Sequence, residues 1–441
     1  MKLNQRLFLP TDNIGLILFR IAFGFLMCFH CIDYMTDGSV FRLYIEPPFT
    51  FNFIGFDFLQ PLPGNGMYYY FGLMAVLGIL IMIGYRYRLV TTLFALLWTA
   101  LYLMQKSGYN NHHYLVLLIC WLMVLMPANR NLSVDAYLNK SIKTNYCEQW
   151  IYWLFIIQIG IVYFFAAASK LTPDWYSGKF IEIRFSRWSM HPSLGFIYGN
   201  KVFQLFISYA GIAFDFLIVP LLLCRRTRAL AVIASVLFHL FNSFTFHIGI
   251  FPYLSIAFLL LFIDPATLRR LFLRQHTAPE KTIVNLQPGN YRIKLLFFYS
   301  YLLVQLFMPM RYLLYPGNVF WTEEGYRMSW KMMLRTKSGT VYFKVKDPIT
   351  KQEWKEEPGK IFQLPHMMWL SGSPDIIWQY AQRIKRNYQA KGVPNPEVYA
   401  IGKVSMNRKT AQALVDSTVN LAAEKWRPFA HSDWIVPFKG K

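Results

Sequence analysis

Apolar runs of membrane-spanning length recur along most of this chain, and they constrain its fold more than any other feature. A helix that crosses a bilayer needs roughly 20 mostly apolar residues. Nine runs stand out, at about 13–35, 67–85, 88–104, 113–127, 150–169, 203–224, 229–246, 250–263 and 295–314. The third, fourth and eighth are short. The eighth has Pro252 near its start, so it reads equally as a re-entrant segment or half of a broken helix. Charged residues are 15% of the 441, against about 25% in soluble domains. An ordinary cytosolic enzyme, a disordered chain and a coiled coil are excluded. The expected fold is a polytopic α-helical membrane protein of about eight to nine spans.

The formal charge of +22 does not point to nucleic acid, because much of the excess lies in short loops between the apolar runs and no basic-aromatic nucleic-acid module is present. One set of loops holds 16 Lys and Arg, from Lys2 and Arg6 through Arg225, Arg226 and Arg228 to Arg269–Lys294; the opposite set holds 7. That bias puts the N-terminus in the cytosol. Nine spans then put the C-terminus outside. Five of the 7 opposing charges fall in 170–201, where they either meet water and lipid phosphate or serve a function.

The character changes near residue 316. Residues 1–315 read as a transmembrane helical domain and 316–441 as a β-rich extramembrane domain. Thr340–Lys346 alternates like a half-buried strand, Val398–Met406 is a second strand candidate, and Asp375–Lys391 reads as an amphipathic helix with a basic face. The cysteines, Cys28, Cys31, Cys120, Cys147 and Cys224, do not form a disulfide framework. Cys28 and Cys31 read as small apolar fillers or, less simply, as a redox pair. No cleavable signal peptide is expected, since the first run is long and lacks a small-residue cleavage site.

Ionisable groups at membrane depth are costly, so each is a functional hypothesis. Arg20 and Asp33 lie in the first run, too far apart to pair on one helix. Asn110-Asn111-His112-His113 opens the fourth run: the asparagines suit a helix start, and His112 suits either interfacial capping or acid–base work. Adjacent histidines point about 100° apart, which disfavours joint metal ligation, and no metal is expected. Lys170 ends the fifth run after three alanines and a serine. It either snorkels to the interface or sits desolvated, where burial disfavours the ammonium and leaves an amine able to accept a proton. Asp215 lies inside the sixth run. His239 and Asn242, three apart, share a face of the seventh, with His247 nearly on it. HExxH, G-x-S-x-G, P-loop and di-iron histidine boxes are absent.

Several segments together resemble the vitamin K-dependent γ-carboxylase family, with its horizontally transferred transmembrane domain. They are Phe19–Met27 (FRIAFGFLM), Gln60–Pro63 (QPLP), Tyr109–Leu115 (YNNHHYL), Ser169–Trp175 (SKLTPDW), Phe238–Tyr253 (FHLFNSFTFHIGIFPY), Gly325–Met333 (GYRMSWKMM) and Trp426–Trp434 (WRPFAHSDW). They run in order along nearly the whole chain. The resemblance implies an enzyme that uses a reduced vitamin K, O2 and CO2. Oxygenation of the quinol to its epoxide generates a strong base; that base takes a γ-proton from a glutamate side chain, and CO2 adds to the carbanion. It implies roles by position: Lys170 deprotonates the quinol; His112, beside Asn111, stabilises an oxygen or carbanion intermediate; His239 and Asn242 belong to the pocket; Tyr326 and Trp330 stand near the substrate entrance. Arg20 is assigned to the cosubstrate site. Expected partners are membrane lipid, the quinol and a protein or peptide glutamate.

The chain departs from animal members at Lys331, where they carry an acidic residue, and at Arg335, where they have histidine. It is also shorter and lacks their lumenal disulfide. These features fit a bacterial inner-membrane version that uses menaquinol, with a periplasmic or extracellular C-terminal domain. Two other readings stay open: a quinol epoxidase or oxygenase with another acceptor, and a non-catalytic lipid-binding or transport protein.

Overall fold

The computed structural model describes residues 3–275, 291–332 and 334–440. Lys2 and Lys281, counted among the basic loop residues, and Met333 of the GYRMSWKMM segment lie outside them.

The apolar runs become helices α1 (Ile14–Thr36), α2 (Gly66–Ile83), α3 (Tyr87–Met104), α4 (Asn111–Leu125) and α5 (Gln149–Ser169). After α6 (Lys179–Ser189) come α7 (Lys201–Leu223), α8 (Arg228–Phe246), α9 (Phe251–Phe258) and α10 (Tyr291–Phe307). Among the described residues seven helices are long and apolar enough to cross a membrane, counting the last to Leu314. The chain is an integral membrane protein. The eighth run is a broken element. Phe251–Leu261 and Pro265–Leu273 meet at 112°, because Pro265 cannot continue the first segment's hydrogen bonding. The fourth is a helix of only 15 residues.

Helices α1 and α2 touch backbone to backbone. A Cβ on Gly24 would stand 2.4 Å from the Met82 nitrogen, and one on Gly78 would stand 2.8 Å from that of Cys28. Small residues permit such contact where lipid offers no hydrophobic drive between helices. Near the N-terminus, Pro10–Asp12 pairs antiparallel with Tyr146–Glu148, and Asp12 binds Arg269 at 2.8 Å. This ties the starts of α1 and α5 to the broken element. All five cysteines are free thiols, and Cys31, Cys120 and Cys147 are packed in the apolar interior.

The C-terminal extramembrane domain has its own core. Strands β1 (Lys337–Lys346), β2 (Glu353–Glu356) and β3 (Glu397–Met406) form an antiparallel sheet in the order β2-β1-β3. Phe343 lies opposite Ala400 and Val345 opposite Val398, all buried, while alternate residues face out. Helices α11 (Leu364–Gly372) and α12 (Pro374–Ala390) cover this face. Helix α12 presents Ile377, Tyr380, Ala381, Ile384 and Tyr388 inward, at helical spacing. Trp330 instead inserts into the membrane-domain core against Tyr114, with ring centroids 5.0 Å apart.

Candidate active site

The ends of α5 and α8, the start of α4 and the middle of α7 converge on a chamber of about 110 Å³. Its walls are mainly apolar: Ala166, Ile207, Gly211, Phe238, Phe241 and Phe251 among others. The polar lining consists of Lys170, Asp215, His112, His239, Tyr163 and Asn242. Four widely separated stretches of sequence supply these side chains. Such a concave apolar cavity with a few converging polar groups is the usual form of a small-molecule site.

Lys170 caps the C-terminal end of α5, just after the last small residues of the helix. Its Nζ donates a 2.5 Å hydrogen bond to Oδ2 of Asp215 on α7, and both side chains are buried. The expected lone, desolvated amine is therefore half of an ion pair. A buried charge is retained where an opposite charge and good geometry repay its desolvation. Trp175 flanks the pair with its ring centroid 5.2 Å from Nζ. Its indole N–H is fixed by the Ser208 carbonyl at 2.7 Å. Ser208, Gly211 and Asp215 recur at helical spacing on one face of α7. At Gly211 a Cβ would stand only 3.8 Å from Nζ, so the missing side chain keeps the space beside the amine clear.

Opposite the pair, His112 stacks on Phe251 with centroids 4.5 Å apart. His239 is held by Tyr163, whose hydroxyl lies 2.7 Å from Nε2. The Nδ1 atoms of both histidines are buried and have no hydrogen-bond partner among the described residues. A buried polar atom without a partner is costly, so a site that keeps two has room in its chemistry for a polar ligand. Asn242 is half-buried on the same face of α8 as His239.

The chamber gathers Lys170, His112, His239 and Asn242, but not every residue expected there. Arg20 is fully buried elsewhere and donates to the carbonyls of Ala128 (3.2 Å) and Leu132 (2.5 Å). Its charge secures the loop after α4 and has no place in the chamber lining. Asn111 lies one residue from the chamber but supports a neighbouring segment, with its Nδ2 donating to the Lys331 carbonyl at 3.3 Å. The Tyr326 hydroxyl donates to that same carbonyl at 3.0 Å. Trp330 and Met328 both have left-handed backbone, with φ of 57° and 65°. Non-glycine residues accept that strain only where the surroundings hold them. The segment they shape delivers Met332 to the chamber wall. Tyr326 and Trp330 themselves stand behind it. His247 caps α8, exposed and outside the lining. The adjacent histidines do diverge: His113 points into a second cavity with His30, Tyr34 and Trp98.

The two departures from the animal pattern have settled partners. The Lys331 ammonium lies 3.8 Å from the Tyr312 ring centroid, and burial pulls its pKa down to about 8. Arg335 binds Glu323 and lies over the Tyr326 ring at 4.2 Å. Burial alone would raise the Glu323 pKa, but Arg335, Lys337 and Arg327 together hold it down at about 2.

Sequence reasoning did not join Asp215 to Lys170, since they lie 45 residues apart on different helices. It also passed over Tyr163, although Tyr163 precedes Lys170 by seven residues on one helix face. That spacing was the available signal.

Residues 8–266 match the HTTM domain family, and residues 290–441 match the lumenal domain of vitamin K-dependent gamma-carboxylase. No solved structure matches the chain. The first match alone covers more than half of the sequence, and the second follows it along the chain. A polytopic helical bundle carrying this chamber, joined to a strand-containing domain of that lumenal type, therefore belongs to the vitamin K-dependent gamma-carboxylase family.

Proposed function

We propose that this protein is a membrane carboxylase that couples oxygenation of a reduced vitamin K-type naphthoquinol to carboxylation of glutamate side chains. The observation that carries the reading is the Lys170–Asp215 pair, buried in a mainly apolar chamber beside two histidines with unpartnered nitrogens. The lining suits a quinol. Phe238, Phe241 and Phe251 offer ring contacts, while His112, His239 and Asn242 offer partners for its two oxygens.

Removing a γ-proton from glutamate is beyond any side-chain base near neutral pH; a reduced naphthoquinone reacting with O2 supplies the stronger base when bound. The protein's tasks are narrower. Lys170 takes the first hydroxyl proton. His112 and His239 hold developing negative charge by hydrogen bonds. The apolar walls keep out water that would quench the base. Tyr326, Trp330 and Asn111 set the wall segment that ends in Met332, on the side from which an acceptor glutamate would approach.

The excess of basic residues in one set of loops supports a cytosolic N-terminus, with the C-terminal domain across the membrane. A bacterial inner membrane, with menaquinol as the donor, fits that arrangement. Residues 1–315 would carry the quinol chemistry and 316–441 the acceptor. Purified protein should convert reduced menaquinone or vitamin K to the epoxide under O2 and place labelled CO2 in a glutamate-containing peptide. Absence of epoxide would refute the reading. One observation favours a second reading, an epoxidase with another acceptor: Lys331 stands where animal members have an acidic group. Epoxide formation without label in any glutamate peptide is its signature.

A further inference from the structure

We propose that Asp215 is the proton store that makes Lys170 a base, so that the first step needs the pair and not the lysine alone. This rests on the quinol reading above. The geometry leaves little choice. A lysine whose Nζ lies 2.5 Å from a buried carboxylate rests as an ammonium, and an ammonium has no lone pair with which to accept a proton. Among the described residues that line the chamber, the only acidic side chain is Asp215. The other titratable groups facing the pair are Tyr163 on α5, His239 on α8 and His112 on α4.

The step balances within the pair. As a quinol fills the chamber and displaces water, separated charges become expensive, and the ammonium proton passes to Asp215: an N–H bond breaks and an O–H bond forms. The Lys170 lone pair then takes a hydroxyl proton from the quinol. That O–H bond breaks, its electron pair stays on the quinol oxygen, and the amine becomes an ammonium again. The new positive charge lies beside the new negative one, so nothing in the dry chamber is left uncompensated. Asp215 therefore acts through Lys170, as a positioning and proton-holding residue. Gly211, one turn before it on α7, keeps the approach to the amine open.

The test uses the full-length protein in lipid nanodiscs, as wild type, Asp215→Asn, Asp215→Glu and Lys170→Ala. Three readouts are taken: epoxide formed from reduced menaquinone across pH, equilibrium binding of the oxidised quinone, and the infrared C=O band of a protonated carboxylic acid on quinol addition without O2. Asp215→Asn should lose at least about 100-fold in epoxidation while quinone binding stays within about threefold, the split expected for removal of a proton acceptor. Asp215→Glu should recover a substantial part of the rate, with the acidic limb of the pH profile displaced. The infrared band should appear in wild type and vanish in Asp215→Asn. An Asp215→Asn enzyme with more than a tenth of wild-type activity overturns the inference, because the amine then works alone. Should that variant fail to fold, an acidic limb in Asp215→Glu identical to wild type overturns it as well. Wild type that forms no epoxide refutes the functional reading itself and takes this inference with it. A wild type that turns over while Asp215→Asn does so equally defeats the inference only.

Discussion

At the scale of single residues, the chamber separates groups that hold charge from groups that hold shape. Replacement of His112 by alanine should reduce epoxide-coupled carboxylation roughly 100-fold, by analogy with removal of one stabilising donor, with quinone affinity nearly unchanged. Steady-state rates beside equilibrium quinone binding check this. Gly211→Leu should act differently, filling the space 3.8 Å from Nζ and weakening quinone binding at least tenfold while leaving the thermal unfolding temperature close to wild type. Lys331 gives a pH prediction. Burial lowers its folded-state pKa to about 8 from 10.5, so the unfolded chain holds more protons between those values. Lys331→Met should therefore unfold at a temperature higher by roughly 1–3 °C at pH 7, part of the burial cost being offset in wild type by the Tyr312 ring. The difference should shrink as pH rises from about 8 toward 10.5, measured by thermal unfolding at several pH values. Lys170, His112, His239 and Asn242 were legible in the sequence because polar side chains in apolar runs announce themselves. The Lys170–Asp215 contact was not, since pairing across two helices depends on how those helices pack. Arg20 was misjudged for the same reason: an intramembrane arginine was visible, but its carbonyl partners lay more than a hundred residues away.

At the scale of elements, hydropathy read the helices well and their completeness poorly. The positions of α1 to α5, α7 and α8 follow directly from the apolar runs, and the eighth is broken as one expected alternative had it, although the break lies before Pro265 and Pro252 merely sits in the first turn of α9. Hydropathy could not give the 112° bend at Pro265, since an apolar run says nothing of direction. In the C-terminal domain, the long strands and α12 were legible from alternation and helical spacing. Strand β2, with Glu353, Lys355 and Glu356 around Trp354, was missed because a four-residue edge strand with a single apolar residue carries no clear hydrophobic period. Contact between α1 and α2 was equally hidden, as glycines within apolar helices carry no label. It gives a sharp prediction. Gly78→Leu should force the two backbones apart, costing roughly 1–3 kcal/mol or more, seen as a lower thermal unfolding temperature of the purified protein.

At the scale of the whole molecule, a buried ionic cluster fastens the C-terminal domain onto the helical bundle. Lys106, just after α3, binds Asp375 at the start of α12 at 2.6 Å. Arg327 binds the same carboxylate at 2.8 Å and extends the cluster toward Glu323, which also meets Lys337 at 3.0 Å and Arg335. Burial pushes the Asp375 carboxyl up, but Arg327 and Lys106 outweigh it and hold it well below the usual carboxylate range. A carboxylate depressed on folding contributes stability above its unfolded value near 4, and loses it only as pH falls further. On the acid side the junction should thus hold well below neutral pH, whereas burial lowers Lys106 to about 8 and Lys337 to about 7, so its lysines lose charge as pH rises past those values. Asp375→Asn leaves Lys106 and Arg327 without their anion and should cost roughly 3–5 kcal/mol. Faster hydrogen exchange in α12 and the segment 323–332, ahead of the helical bundle, is the expected signature. Because that segment ends at the chamber wall, the same variant should also impair turnover.

The central claim is that the chamber around Lys170 takes the first proton from a quinol. The most direct measurement is epoxide formation from reduced menaquinone under O2 by wild type and Lys170→Ala, at matched quinone occupancy. Wild type should form epoxide and Lys170→Ala should fall by at least about 100-fold. Equal rates from the two proteins would contradict the account.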